Sequence, residues 1–500
     1  MNPGTSQPFY RPLSDGDVQK IDSNARRILK EVGIKVESRR FLDRLEAAGA
    51  EVERDRSMVR FSGEWLDGKL GSAPPGFTLY SRDGKNDLDL GSTTVHFANG
   101  GRAFRILNML KGKYRRTRLK DIVNTATLVQ NLDNIRVYVI ACQAHDVPEG
   151  SYHVVDFFHA FNHTTKHVMG GCDSLEGAED MWKLACLVAG GENSLREKPF
   201  VSVISNPISP LTLDENTLSI LDFFCGRGIP VTCATAPIAG ATAPMTLAGT
   251  LSQMHAEALA GVAVTQAFSP GAKVLYGAFP TAMDMKTMEV AMGCVEMGMM
   301  NASAVQLARL YNIPIYASGG VTEAKRPDIQ AGFEKNFSSL TVAMMGADFI
   351  HLTAGLMDSA KSISYEQFVI DDENIAMIQR ILAGIDVSED TLAFNVISDV
   401  GPRGDYLMQE HTVRHMREEF FFPRLSERCS FDVWLRNKRP DMLKRAKTLV
   451  GEILENNREG ILDPAVAEKV RKAYPHVKRI QPGRVKRHAQ GEGGAGTAVS

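Results

Sequence analysis

The chain has 500 residues, of which 44% are hydrophobic, so it can bury a large core and has room for more than one structural unit. Its formal net charge of -2 gives no global electrostatic reason to bind nucleic acid or an anionic membrane, which leaves small neutral or zwitterionic ligands open. The 7 cysteines are odd in number and form no CxxC pair, as is typical of a reduced, cytoplasmic compartment. The sequence shows no basic-then-apolar signal at its start and no apolar run of the roughly 20 residues that a membrane helix requires, so we expect neither export nor membrane insertion.

Residues 1–90 are predicted to form an N-terminal α+β cap. Two helical patterns come first, VQKIDSNARRILKEVG and SRRFLDRLEAAG, and short strand-like pieces such as GFTLY follow them.

Between residues 91 and 361, apolar runs alternate with helix-like segments. In chain order the runs are TTVHFANGG, IRVYVIACQ, KHVMGG, FVSVISNPISP, PVTCATAPIAG, KVLYGAFP, PIYASGG and DFIHLTAG. Near-continuous apolar strands imply helices on both faces of a parallel sheet, and this alternation predicts a (β/α)8 TIM barrel, an α/β fold. An open doubly wound sheet is the alternative, but its signature GxGxxG follows none of the predicted strands, which favours closure.

The sequence becomes helical and more charged beyond the barrel, in runs such as ENIAMIQRILAGI and RPDMLKRAKTLVGEILENNREG. We therefore predict a C-terminal helical extension over residues 362–482 that packs on the barrel. Residues 483–500 are polar and glycine-rich with almost nothing to bury, and they are predicted to be disordered.

Several familiar chemistries lack their sequence patterns. Clustered cysteine ligands for zinc, the nucleophile elbow GxSxG and the phosphate loop GxxxxGK[ST] do not occur. His159 and His163 have helical i, i+4 spacing, and we interpret them as ordinary polar residues. The sequence interpretation therefore assigns no metal.

Aromatic residues are frequent in or near the predicted strand ends, where the active sites of such barrels lie. They are Phe97, Tyr276, Phe279, Phe333 and Phe349. Aromatic faces attract cations, quaternary ammonium groups above all, so this set is a candidate cation pocket. The alternative for each ring is ordinary packing in the barrel core.

Four ordered blocks resemble the trimethylamine methyltransferase family: GATAPMTLAGTLSQMHAEALAG, YGAFPTAMDM, GGVTEAKRPDIQAGFEK and GADFIHLTAGLMDSAKSISYEQFVIDDE. The downstream run DVGPRGDYLMQEHTVRHMREEFFFPRL resembles the C-terminal portion of the same family. The resemblance implies a (β/α)8 barrel that moves a methyl group from a methylamine or quaternary amine to the cobalt of a separate corrinoid protein.

One departure from the family bears on the substrate. Founding members that act on trimethylamine carry pyrrolysine, whereas this chain uses only the twenty standard residues. It resembles the non-pyrrolysine branch, some of whose members demethylate glycine betaine or related betaines. A quaternary amine, glycine betaine or a related betaine, is therefore the expected substrate. Its demethylation expels a neutral tertiary amine and needs no general acid.

Polar residues near the last predicted strands complete the candidate site. His351, Glu323 and Gln330 are the candidate catalytic residues, and His351 could equally be a hydrogen-bonded structural residue. Arg326 could pair with a substrate carboxylate or be a solvated loop charge, and Asp284 could offset the ammonium charge.

No cofactor is expected on this chain itself. The cobalamin-binding pattern is DxHxxG, and the nearest run, DFIHLTAG, has the wrong spacing. We therefore expect a partner corrinoid protein to dock transiently over the barrel mouth, and we expect the chain to form a homo-oligomer. Two alternatives stay open: a non-catalytic betaine-binding or sensing barrel, and a Schiff-base aldolase with Lys273 or Lys325 as nucleophile.

Overall fold

The computed structural model describes residues 10–108, 112–148 and 150–477. Within these ranges eight parallel strands close into a barrel in which sequence neighbours are also spatial neighbours. The strands are β1 (His96–Asn99), β2 (Val137–Val139), β3 (His167–Gly171), β4 (Val201–Ser205), β5 (Val231–Thr235), β6 (Val274–Ala278), β7 (Ile315–Ser318) and β8 (Phe349–Ala354). The closing pair is β8 against β1, with Phe349 opposite His96. The predicted TIM barrel is confirmed, and each strand lies inside one predicted run.

A helix follows each barrel strand and covers its outer side. The helices are α1 (Leu119–Gln130), α2 (Tyr152–His163), α3 (Leu175–Ala189), α4 (Glu215–Cys225), α5 (Leu247–Phe268), α6 (Val295–Arg309), α7 (Ile329–Met344) and α8 (Tyr365–Leu382). Helix α5 is unusual because every residue from Thr250 to Gln266 is buried. A helix that is apolar all round must be covered on both sides, and here the N-terminal cap packs on the side that faces away from the barrel.

The cap consists of the helices Asp15–Arg27, Arg39–Ala47 and Gly63–Leu70, a π-helical turn Ile28–Val32, a 3-10 turn Arg54–Arg56, and the strands Ile34–Glu37, Glu51–Glu53 and Met58–Arg60. The strand Thr212–Asp214, which follows β4, joins the cap sheet in parallel with Ile34–Glu37. His255 of α5 links cap and barrel, because its Nε2 lies 3.0 Å from Asp22 Oδ1 of the cap and its Nδ1 lies 2.7 Å from the Tyr276 hydroxyl of β6.

A hairpin of Phe77–Leu79 and Leu88–Leu90 closes the bottom of the barrel, the end from which the strands begin. Its side chains pack into the barrel interior, forming one cluster that includes Leu79, Leu88, Leu90, Ala98, Leu275, Tyr316 and Phe349. The bottom is therefore sealed by apolar contacts, and the open end of the barrel is the one where its strands end.

Several short strands lie in the loops that connect the barrel elements. They are Arg105–Asn108, Lys113–Arg116, Ile238–Ala239, Thr281–Asp284, Glu289–Ala291, Leu356–Met357 and Ser362–Ile363, and a short helix, Glu192–Glu197, precedes β4. No helix within the described ranges combines the length and the apolar character needed to cross a membrane.

Helix α8 completes the barrel, so the barrel continues beyond the predicted boundary at residue 361. The chain then enters a segment of short helices, Glu389–Leu392, Phe394–Val400 and Glu410–His415. We call residues 383–423 the arm, and none of its residues is buried. Beyond it come the helices Phe431–Arg436, Met442–Asn456 and Pro464–Ala473, the last two of which pack on the barrel helices. The tail predicted to be disordered, residues 483–500, lies outside the described residues.

The arm lies at the bottom of the barrel. Helix α8 runs back from the strand ends, and Asp372 near its middle accepts a hydrogen bond from the Asn134 backbone N–H, just before β2 begins, at 2.9 Å. The Glu373 carboxylate accepts the backbone N–H groups of Arg424 at 2.7 Å and Ser426 at 2.8 Å. Both ends of the arm are therefore held on the side opposite the open mouth.

Candidate active site

A cavity of about 200 Å³ lies at the end of the barrel where the strands end. Its wall is mostly apolar. Residues from all the barrel strands or the loops after them contribute, together with the first turns of α2, and they include Gly101, Arg102, Val139, Tyr152, Asp156, Phe157, Gly170, Ile204, Ala234, Phe279, Tyr316 and His351. An apolar cavity with a few convergent polar groups at this end of a barrel is where a binding site is expected.

His351 contributes a neutral imidazole to the cavity. It is buried in the middle of β8, and burial lowers its pKa to about 3. The Tyr316 hydroxyl of β7 is hydrogen-bonded to Nδ1, whereas Nε2 has no partner among the described residues. A Cβ at Gly101 would lie only 2.9 Å from Val139, so glycine lets the loop after β1 pack closely against β2 beside His351.

Asp156 contributes a buried carboxyl. It lies on α2, lines the cavity, and its Oδ1 has no hydrogen-bond partner among the described residues. Burial raises the pKa of Asp156 well above its usual range. A buried carboxyl that is left unpaired destabilises a protein, and such groups cluster at functional sites, where a ligand provides the missing partner.

An ion pair forms part of the rim of the cavity. The Arg102 guanidinium binds Asp173 in bidentate fashion, with N–O distances of 2.8 and 2.9 Å. The Tyr152 hydroxyl also donates to Asp173, and the Arg102 guanidinium lies 5.8 Å from the centre of the Tyr152 ring. Arg102 and Asp173 remain half-exposed, so solvent and ligands can reach them.

The structure brings two of the predicted site residues to the cavity, His351 and Phe279. Phe349 lies in the barrel interior, where its ring stacks on Tyr316 with centroids 5.4 Å apart. Phe97 and Tyr276 are buried in the cluster between barrel and helices, because Ala98 and Leu275 beside them point inwards and successive strand residues alternate. The prediction that the five rings share one pocket is therefore wrong.

The remaining predicted residues lie on loops and on the helix surface. Phe333 is 70% exposed on α7, and Arg326 is exposed in the preceding loop. Asp284 is exposed as well, and its carboxylate accepts the Lys286 backbone N–H at 2.8 Å. Its position indicates a turn-stabilising residue rather than a counter-ion within the cavity.

Glu323 and Gln330 belong to a network that fixes the loop after β7. The Glu323 carboxylate accepts the Gly293 backbone N–H at 2.7 Å and the Ser359 hydroxyl at 3.2 Å. Gln330 Nε2 donates to Glu334 Oε1 at 2.8 Å. Burial raises the pKa of Glu323. Among the described residues that line the cavity, neither Glu323 nor Gln330 is found, so their catalytic role stays a prediction.

The sequence interpretation missed Arg102, Tyr152, Asp156 and Tyr316. One signal could have found Asp156, because it is the one acidic residue in the otherwise apolar and aromatic run YHVVDFFHAFNH. A carboxylate rarely enters such a run without a partner. Arg102 directly follows the predicted first strand, a position where barrel residues often face the site.

Comparison with known proteins gives a consistent family assignment. The family described as trimethylamine methyltransferase (MTTB) matches residues 2–481. A glycine betaine methyltransferase of Desulfitobacterium hafniense (strain Y51) is 34% identical over 468 residues, covering 93% of this chain and 97% of that protein. The trimethylamine methyltransferase MttB of Desulfitobacterium hafniense (strain DSM 10664 / DCB-2) is 32% identical and covers 92% of each chain.

Among solved structures, the monomethylamine methyltransferase of Methanosarcina barkeri is similar, with a TM-score of 0.49 and 13% identity, over 88% of this chain and 94% of that one. The family match along almost the whole chain, and relatives above 30% identity that are matched nearly end to end, establish the assignment. The chain belongs to the trimethylamine methyltransferase family.

Proposed function

We propose that the protein transfers a methyl group from a small quaternary amine, with glycine betaine or a related betaine preferred, to the Co(I) of a separate corrinoid protein. The observation that carries this proposal is the buried Asp156 carboxyl, whose Oδ1 has no partner among the described residues, in an otherwise apolar cavity of about 200 Å³. The relative that is named a glycine betaine methyltransferase supports the choice of substrate.

The cavity fits the cationic end of such a substrate. A trimethylammonium group needs apolar walls for its methyl groups and a negative charge nearby. Phe157, Phe279 and Tyr316 line the cavity and offer ring faces or edges, and Asp156 offers the charge. Each ring that faces the cation contributes about 0.5 to 2 kcal/mol, depending on how completely water is excluded. Binding of the substrate cation favours the ionised form of the Asp156 carboxyl, because the cation is then its partner.

The carboxylate end of a betaine can be held by donors on the other side of the cavity. When the Tyr316 hydroxyl donates to Nδ1 of His351, the ring proton lies on Nε2, and that N–H is available to a ligand oxygen. Arg102 lines the same cavity, and a substrate carboxylate would compete with Asp173 for its guanidinium.

The proposed chemistry requires orientation more than acid catalysis. The partner's cobalt supplies the electron pair that forms the new bond to carbon, while the electron pair of the broken C–N bond stays on nitrogen and yields a neutral tertiary amine. No proton has to be delivered to that leaving group. Because the pKa of His351 is about 3, its imidazole is neutral at pH 7 and lacks the extra proton that an imidazolium would donate as a general acid. This agrees with a positioning role. The walls around Asp156 align one N–CH3 bond and exclude water.

The partner is expected to approach the mouth because the cavity is far smaller than a corrinoid. Five apolar side chains that are more than half exposed lie on one side of this end: Met245, Met285, Met288, Ile329 and Phe333. We call them the apolar rim. They follow β5 and β6 or lie in the first turns of α7, all on the strand-end side. Exposed methionine and aromatic side chains are typical of surfaces that bind other proteins.

The lysine-based alternative gains no support from the structure. Lys325 is exposed and its Nζ pairs with Asp358 at 2.8 Å, and Lys273 directly precedes β6, at the barrel bottom. A Schiff-base lysine needs a lowered pKa and a place at the cavity. Burial lowers the pKa of Lys273, but this residue lies at the wrong end of the barrel.

We also propose that the chain assembles with copies of itself through the arm. Its apolar side chains Phe394, Leu407, Met408 and Phe420 are between 66% and 90% exposed, although they lie on a segment that has no buried residue. Contact at the barrel bottom would leave the mouth free for a corrinoid partner. Light scattering coupled to size exclusion should give a mass above 54.8 kDa, and a monomer at micromolar concentration would contradict this.

The function is tested by mixing the protein with a reduced corrinoid protein and a panel of betaines and methylamines. We expect the absorbance of methyl-cobalt to appear with glycine betaine or a close relative, and no turnover with any member of the panel would overturn the proposal. Calorimetry with the same compounds distinguishes a methyltransferase from a betaine-sensing protein, because a sensing protein would bind a betaine tightly without turnover.

A further inference from the structure

A cluster of histidine and aspartate side chains lies in the arm, far from the cavity. Asp390 belongs to the short helix Glu389–Leu392, and His411 and His415 belong to Glu410–His415. The two histidines are four residues apart, so their side chains lie on one face of the helix, and their ring centroids are 4.3 Å apart. His415 Nε2 lies 2.9 Å from Asp390 Oδ2, and His411 Nε2 lies 3.0 Å from the Asp390 carbonyl oxygen.

We propose that Asp390, His411 and His415 bind one divalent transition-metal ion, with Zn²⁺ the best match. The ligand atoms of the three residues all lie within 4.8 Å of one another. A tetrahedral zinc site with bonds near 2.0 to 2.1 Å separates its ligand atoms by about 3.3 Å, so side-chain rotations suffice to close the site. Imidazole and carboxylate are both zinc ligands, and water would take the fourth position.

An ion pair alone does not explain this arrangement. Asp390 already has a cationic partner, because Arg414 donates to its Oδ1 at 3.2 Å. Two imidazoles beside one carboxylate would repel each other if both were protonated, whereas two neutral imidazoles can share a metal ion. Arg414 then remains on the second oxygen and orients the carboxylate, as outer hydrogen bonds do in many metal sites.

The arm needs such a link because it has no core of its own. No residue of 383–423 is buried, and the two helices of the cluster have 4 and 6 residues. Short segments that cannot bury enough apolar surface are commonly fixed by disulfides or metals. The arm starts at the end of α8, at the barrel bottom, so the ion would fix the arm and take no part in the reaction at the mouth.

The sequence interpretation assigned no metal because clustered cysteine ligands do not occur and because the histidine pair it considered was His159 and His163. The run EHTVRHM contains a second pair at the same spacing, His411 and His415. Asp390 precedes this pair by about twenty residues, and only the fold shows that it lies beside them.

Metal binding is tested on the full-length protein after removal of metals with a chelator. Equilibrium dialysis against Zn²⁺ should give about one ion per chain, and Co²⁺ should give the intense visible absorption of a tetrahedral site. We expect His411→Ala and His415→Ala each to weaken Zn²⁺ binding on the order of a hundredfold, since each removes a direct ligand. The matched control is His476→Ala, which removes an exposed histidine outside the arm and should change nothing.

A second readout separates metal binding from simple hydrogen bonding. His415→Gln can still donate a hydrogen bond to Asp390, but it replaces the imidazole ligand. Hydrogen exchange across residues 389–415 should slow when Zn²⁺ is added to the wild type, and it should not respond in His415→Gln. Unchanged Zn²⁺ stoichiometry in the His411→Ala, His415→Ala double variant, or no binding by the wild type at micromolar Zn²⁺, would overturn the proposal.

Discussion

The cavity at the barrel mouth and the cluster in the arm use the same two side-chain types in opposite surroundings. In the cavity, burial raises the pKa of Asp156 well above its usual range and lowers that of His351 to about 3. In the arm, loss of hydration raises the pKa of Asp390, but the hydrogen bonds and charges of His415 and Arg414 together outweigh it and lower the pKa overall. The comparison teaches that hydrogen-bond partners decide the direction of the shift: Asp390 has them and its pKa falls, whereas Asp156 Oδ1 has none among the described residues and the pKa of that carboxyl rises.

The largest effect is expected for Asp156→Asn, which keeps the shape of the side chain and removes its charge. If Asp156 pairs with the substrate cation, the loss is about 2 to 5 kcal/mol, or roughly 30- to 5,000-fold in kcat/KM for methyl transfer. The measurement is the rate of methyl-cobalt formation at varied betaine concentration. Asp133→Asn, at an exposed site near the barrel bottom, is the control. Equal rates for Asp156→Asn and the wild type would place the cation elsewhere.

A smaller effect is expected at His351. His351→Ala removes the free Nε2 group and should lower kcat/KM about 10- to 100-fold, the size of one hydrogen bond to a charged ligand. His351→Gln should recover part of the rate because it can still donate. Since the pKa of His351 is about 3, the wild-type pH profile should show no ionisation near 6.5 that disappears in these variants. Such an ionisation would contradict a permanently neutral imidazole.

Substitutions in the apolar rim should affect the partner and not the small substrate. Ile329→Ala and Phe333→Ala remove side chains that are 77% and 70% exposed. Each is expected to raise the corrinoid-protein concentration at half-maximal rate several-fold, by about 1 kcal/mol, as for a typical interface contact. Betaine affinity by calorimetry should stay unchanged. A loss of betaine affinity in Phe333→Ala would instead restore Phe333 as a substrate-binding residue.

A last effect concerns stability without ligand and leaves the rate of methyl transfer aside. Because the folded-state pKa of Asp156 lies above its unfolded value, the folded protein holds this proton more tightly, and stability falls as pH rises between the two pKa values. Asparagine does not titrate. Asp156→Asn should therefore be more stable than the wild type by about 1 to 3 kcal/mol at pH 8 and by less at pH 4, measured by urea unfolding. A difference that is independent of pH would exclude this cause.

The strands could be predicted from sequence because barrel strands buried on both faces are nearly continuous apolar runs. Because the runs are apolar throughout, the sequence does not show which side chains face the barrel interior and which face the helices. In KVLYGAFP, Leu275 points into the barrel and Tyr276 points out to His255, and no polar alternation distinguishes the two directions. The predicted aromatic pocket failed for this reason. Only the closed barrel, with its register, shows which ring faces the cavity.

The sequence pattern did not indicate helix α2, for a related reason. Within YHVVDFFHAFNH, all of the residues except Tyr152 and Asn162 are buried, so the run lacks the apolar stripe that marks a surface helix. Asp156 lies on this helix and was therefore not recognised as a site residue. The cavity is completed by this helix and by residues from the loops after distant strands, and their convergence is a property of the barrel rather than of any single motif.

The link between Asp22 and His255 has a consequence for the synthesis of the chain. The two residues are 233 positions apart. At a synthesis rate of roughly 5 to 20 residues per second, the cap helix is therefore made about 10 to 50 s before its partner. The pairing of β1 with β8 waits longer still, because 257 residues separate Asp348 from the Gly91 backbone N–H that it accepts. The apolar faces of the cap are thus made first and covered only after α5 has been made, so cap docking, and barrel closure after it, are late steps of folding on the ribosome.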